Sequence, residues 1–226
     1  QGVMAGGVSI GFTGYGSMHS RHHIGPELQI GHRLGDHLKQ PVLLIKTAWG
    51  GKSIYKDFRP PSAGGETGEY YQKMFSEVNE ALSSYESEFP LLKGMKPMWG
   101  GFFWFQGWND MFDENARAQY EDNLVCLIKD VRKHLQQPLL PVVVGELGNM
   151  GEDAGANMQM IRDAQRKACQ RKEWKGRVSF VKTTNFARPK EESPNVGHGH
   201  HWFGNAESYF LIGDALGKEM VRLLQR

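Results

Sequence analysis

Short continuous apolar runs alternate with long amphipathic stretches along this chain, and no other feature of the sequence narrows its fold as much. The runs are residues 41–48 (Pro-Val-Leu-Leu-Ile-Lys-Thr-Ala), 101–106 (Gly-Phe-Phe-Trp-Phe-Gln), 140–145 (Leu-Pro-Val-Val-Val-Gly) and 177–183 (Arg-Val-Ser-Phe-Val-Lys-Thr). Their length and their β-branched and aromatic content predict strands. Helical spacing fills the intervals: Tyr70, Met74, Val78, Ala81, Leu82 and Tyr85 over 69–88, and Tyr120, Leu124, Leu127, Ile128, Val131 and Leu135 over 114–136. Further helices are predicted over 154–171 and 205–224, and over 24–38, where Gly25-Pro26-Glu27 is a start signal. Strands without a polar face are buried on both sides, as in a parallel sheet covered by helices. The expected fold class is α/β: a three-layer α/β/α sandwich on a mainly parallel, flavodoxin-like sheet.

The 226 residues are 39% hydrophobic and 23% charged, enough for one sizeable core, and no linker divides them; residues 55–68, rich in Pro and Gly, read as a surface loop. A net charge of +2, from 27 Lys+Arg against 25 Asp+Glu, argues against the broad basic face that nucleic acid requires. No apolar run reaches the length of a membrane-spanning helix. Cys126 and Cys169 fall inside helical patterns and read as free thiols. No Gly-rich phosphate loop follows a strand, so no nucleotide cofactor is expected. The start at Gln1, without a charged-then-apolar leader pattern, reads as trimmed.

In open α/β sheets the chemistry gathers beyond the carboxyl ends of the strands. Gly107-Trp108-Asn109-Asp110 follows the second run, and an Asn amide there either donates to a developing oxyanion or caps the next helix. Gly50-Gly51 follows the first run, as an oxyanion-binding N–H or as an ordinary tight turn. Gly197-His198-Gly199-His200-His201-Trp202 precedes the last helix, and a histidine there suits a general base. Zinc is the rival reading, weakened because adjacent His200 and His201 point apart in extended chain and no matching Cys or carboxylate pattern follows, so no metal is expected. His19, His22 and His23 read as a solvated loop.

Four segments together carry a resemblance: Ile24-Gly-Pro-Glu-Leu28, Leu44-Ile-Lys-Thr-Ala-Trp-Gly-Gly51, Phe103-Trp-Phe-Gln-Gly-Trp-Asn-Asp110 and His201-Trp-Phe-Gly-Asn-Ala-Glu-Ser-Tyr209. In this order the chain resembles the SGNH (GDSL-like) hydrolase superfamily, and within it the sialate O-acetylesterase and acetylxylan esterase branch, carbohydrate esterase family six. The resemblance implies a serine-type O-acetylesterase acting on an O-acetylated carbohydrate through an acyl-enzyme. It implies that Gly51 is the oxyanion glycine, Asn109 the oxyanion asparagine, Gln106 a lining residue of the same pocket and His201 the base, with His200 as fallback. It also implies a secreted or periplasmic protein. Trp49, Trp104, Trp108 and Trp202 lie near strand ends. Trp108 and Trp202 are the candidates for stacking on sugar, whereas Trp104 reads as core.

Two departures from the family pattern stand out. The Gly-Asp-Ser or Gly-Gln-Ser-Asn block that carries the nucleophile is absent; Gly7-Val8-Ser9-Ile10 is a loose echo, so Ser9 is the candidate, with Ser17, Ser20 and Ser53 weaker. The acid expected three residues before the base is replaced by His198, leaving Glu146 and Asp110 as candidates by strand-end position. In the flavodoxin-like order a central strand belongs between 41–48 and 101–106. Either Val3 to Ile10 fills it, or another segment does, or the domain, 1–226, lacks its upstream nucleophile block and first strand, and the last is the expectation. The second function class that follows is a non-catalytic carbohydrate-binding relic, and a His-rich metal-binding module is a third.

Overall fold

A computed structural model describes residues 24–226 of the chain. Ser9, Ser17, Ser20, the segment 3–10 and the histidines at 19, 22 and 23 therefore lie outside the described residues. Three strands, β1 (Phe102–Trp104), β2 (Val142–Gly145) and β3 (Val178–Val181), form a parallel sheet in the order β1-β2-β3. Phe102 pairs with Val142, and Val142 with Val178. Among the described residues five α-helices accompany them: α1 (Glu27–Leu38), α2 (Glu69–Glu88), α3 (Glu114–His134), α4 (Ala156–Cys169) and α5 (Ala206–Leu224). The α/β class is as expected from the alternation.

Side chains leave a strand on alternate faces, and β2 divides the core accordingly. Val142 and Val144 enter a layer with α2, α3 and α4, built around Met74, Tyr120, Leu124, Ile128 and Ile161. Val143 enters the opposite layer with Ile30 and Leu34 of α1 and Ile212, Leu216 and Met220 of α5. A strand buried on both faces carries apolar residues at every position, and this is why Val-Val-Val reads as a continuous run. In the second layer α1 and α5 approach very closely. A Cβ at Gly213 would lie 2.2 Å from the Pro26 carbonyl oxygen, and one at Gly217 2.8 Å from Arg33 Cβ, so only glycine fits.

Residues 41–48 depart from expectation. Among the described residues they form no strand, and no backbone hydrogen bond joins them to a neighbour. Val42 and Leu44 nevertheless pack, half-buried, against the α1–α5 layer. The apolar pattern reports burial, whereas a strand also needs a partner for its N–H and C=O groups. Residues 55–68 are held on α3 as a structured surface loop. Arg59 donates to the Tyr55, Ala63 and Gly64 carbonyls, and Ser62 N donates to Asp130.

Candidate active site

The turn after β1 is fixed from beneath by buried polar groups. Asp110 is fully buried; its Oδ2 accepts from Ile54 N at 3.1 Å and its Oδ1 from Tyr55 N at 3.0 Å. Gln106 Nε2 donates to Asp110 Oδ2 at 2.6 Å and to the Lys52 carbonyl at 2.9 Å. Gln165 Nε2 and the Tyr120 hydroxyl both donate to the Gln106 carbonyl, at 2.8 Å each. Burial pushes the Asp110 carboxyl up to about 6, although its three donors favour the ionised form. Gln106 therefore ties the segment 52–55 to the turn 107–110, and its amide works inside this network rather than on an open pocket wall.

That tie brings Gly51 and Asn109 together. Gly51 has a left-handed backbone, φ 72°, and a Cβ added there would lie 3.7 Å from Asn109 Nδ2. Asn109 is not the helix cap: Asp113 caps α3 by accepting from Ala116 N at 2.8 Å. Among the described residues no hydrogen bond engages the Asn109 amide. Ser53, two residues beyond Gly51, is closed into a local turn, its Oγ donating to Asp57 Oδ2 at 3.1 Å and accepting from Lys56 N at 3.1 Å.

The histidine loop approaches from the other side. The rings of His198, His200 and His201 lie 4.4–6.2 Å apart, and the Trp108 ring is 5.8 Å from that of His200. Asn109 and His201 are each one residue from this Trp108–His200 contact. His200 is exposed and His201 half-buried. Burial, then the charges of His200 and His198, hold His201 below the usual histidine value. The loop turns through two left-handed residues, Trp202 and Phe203, both at φ 53°. Asn149, buried at the end of β2, anchors it by donating to the Gly199 carbonyl at 2.9 Å. Among the described residues no group of three His, Cys, Asp or Glu side chains is placed to hold a metal ion.

Three residues take roles other than those read from the sequence. Trp202 is 5% exposed and stacks on Phe105 in the α1–α5 layer, so its face is not open to a sugar. Glu146 is a brace between strand ends: its Oε2 accepts from Thr183 N, Thr184 N and Thr184 Oγ1 at 2.8, 2.8 and 2.6 Å. Asp110 is likewise committed beneath the β1 turn. Trp104 is core, as expected, and Trp108 is half-buried beside the histidines.

Sequence reading overlooked Asn149, Arg162 and Gln165. Arg162 donates to the carbonyls of Leu147 and Asn149, at 2.7 Å each, and to that of Gly151 at 3.0 Å, shaping the loop that carries Asn149. Gln165 Oε1 accepts from Leu147 N at 2.8 Å. The available signal was positional: Arg162 and Gln165 share the buried face of α4 with Met158, Ile161 and Ala168. Polar groups on an apolar stripe need buried partners.

No curated protein matches the sequence. An Arabidopsis thaliana protein of known X-ray structure is similar in fold, with a TM-score of 0.65 and 19% identity, over 90% of this chain and 71% of the other. A model of the family described as "Carbohydrate esterase, sialic acid-specific acetylesterase" matches residues 13–222. The match takes in both the Gly51–Asn109 pair and the histidine loop, and the chain belongs to this carbohydrate esterase family.

Proposed function

We propose that the protein is a serine-type O-acetylesterase that removes acetyl groups from a carbohydrate. The carrying observation is the meeting of Gly51 and Asn109, two donors from separate turns of the chain, next to a loop bearing a desolvated histidine. In this reading a serine Oγ attacks the acetyl carbonyl while His201 takes its proton. The Gly51 N–H and Asn109 Nδ2 stabilise the tetrahedral oxyanion. Collapse breaks the bond to the sugar oxygen, which takes the proton from His201. Water then attacks the acetyl-enzyme by the same route, giving acetate. Gln106 positions the two donors, and Ser9 is the first candidate for the nucleophile. Following the family resemblance, we place the protein outside the cytoplasm.

The test is hydrolysis of p-nitrophenyl acetate by the protein and by His201→Ala, with and without a serine-directed organophosphate, followed by peptide mapping of the adduct. The expected result is an adduct on one serine and a rate loss of about ten-thousand-fold in His201→Ala. Equal rates in both proteins, with no adduct in folded samples, would overturn the reading.

A further inference from the structure

A groove of about 430 Å³ opens beside the histidine loop, lined by Trp108, Met111, Phe112, Met150, Asn157 and Met158, with small residues at the start of α4. Among the described residues no charged side chain lines it, and Asn157 is the one side-chain amide. Within the groove itself, thioether and aromatic surface with one side-chain amide favours an apolar group over one whose hydroxyls or charge would be left without partners. Phe112 stands 68% exposed at the rim, edge-on to Trp108 with ring centroids 6.1 Å apart. Thioether side chains are deformable and adapt to irregular apolar shapes.

The position of the groove decides which part of a substrate it would meet. The base that takes the nucleophile's proton returns it to the leaving oxygen, so the alcohol portion of the ester lies over the imidazoles. Trp108 is shared between the groove and the ring contact with His200. We propose that this groove seats a neutral, apolar substituent, an aryl group or a second acyl chain, carried on the alcohol portion of the acetyl ester. The proposal rests on the acetylesterase reading and adds to it a substrate class: an acetylated sugar that also bears an apolar group.

The test compares 2-phenylethyl acetate with ethyl acetate, whose leaving alcohols are similar in basicity, in the protein and in Phe112→Ala. Phe112 is exposed, so the substitution spares the core. The expected kcat/KM ratio favours the phenylethyl ester by about tenfold or more and collapses toward one in Phe112→Ala. A second measurement follows the methionine methyl signals by NMR as 2-phenylethanol is added. Met111, Met150 and Met158 are expected to shift, whereas Met98, 87% exposed and absent from the groove lining, stays put. A ratio near one in the unsubstituted protein, with those three signals unmoved, overturns the proposal. So does a concentration-dependent dimer that Phe112→Ala disperses without altering the ratio. No hydrolysis of either ester overturns the esterase reading instead, and the methionine signals then decide whether the groove takes an apolar ligand.

Discussion

Around Asn109 the chain is held by buried side chains, whereas around His201 the described contacts are its own backbone turns and the Asn149 and Asn205 side chains. The first region closes on itself: Asp110, Gln106, Gln165 and Tyr120 bond one another and the backbones of Lys52, Ile54, Tyr55 and Leu147. The second relies on left-handed Trp202 and Phe203, on Phe203 N donating to the His198 carbonyl at 3.0 Å, and on Asn149 and Asn205 as anchors. Non-glycine residues in that conformation cost on the order of 1–3 kcal/mol each, so the surrounding contacts must impose the loop's shape. The contrast teaches that the proposed oxyanion donors are placed by redundant pairing, and the proposed base by contacts that single substitutions can remove.

The comparison breaks most sharply at Asn109. Asn109→Ala should lower kcat by about a hundred- to a thousand-fold with little change in KM, since the donor acts on charge that develops in the transition state. A loss mainly in KM would make Asn109 a binding group instead. Next in size is Asp110→Asn, which places an amide donor against one of the Ile54 and Tyr55 N–H groups. We expect a loss of about 2–3 kcal/mol in urea unfolding. The pH dependence sharpens this. Because burial raises Asp110 to about 6 from 3.8, the folded chain keeps a proton between pH 4 and 6 that the unfolded chain has released. That group therefore makes stability fall as pH rises through the window, and Asp110→Asn should remove that part of the slope; an unchanged slope would assign it elsewhere.

On the histidine side, Asn149→Ala strands the Gly199 carbonyl and should cost about 1–3 kcal/mol, with kcat falling as the loop loses its anchor. Full kcat with the same loss of stability would show that the loop keeps its shape without that tether. The smallest effect is expected from His200→Gln. Neutral His201 is the active form in the proposed mechanism, and burial with two like-charged neighbours holds it below 6.5. The acid limb of kcat/KM should then lie below pH 6.5, and removing His200 should move it upward. A limb that stays in place or moves down would remove His200 from the electrostatics of the base.

How much of this was legible in the sequence differs by kind of interaction. The helix over 69–88 is observed over those same residues, and the predicted strands 101–106, 140–145 and 177–183 each contain an observed one. These rest on local periodicity. The apolar run 41–48 has the pattern of a strand, yet among the described residues it pairs with no neighbour, because pairing depends on a partner that the run itself does not encode. Trp202, expected near a strand end, is a candidate sugar platform by sequence. Its left-handed backbone carries it into the core against Phe105, a turn that no propensity for tryptophan predicts.

By itself the sequence determined the α/β class, the helices and the strands over 101–106, 140–145 and 177–183, and the presence of a glycine pair after the run 41–48, an asparagine after β1 and histidines before the last helix. These are set by short-range pattern and by motif spacing. Only the tertiary structure decided which polar groups meet. Gln165 finds the Gln106 carbonyl 59 residues away, and Glu146 finds Thr183 across 37, leaving Glu146 a brace where position alone suggested an acid. Such pairings depend on how sheet and helices register against one another. In a buried interior each donor must find an acceptor within about 3 Å, so small differences in packing choose the partner.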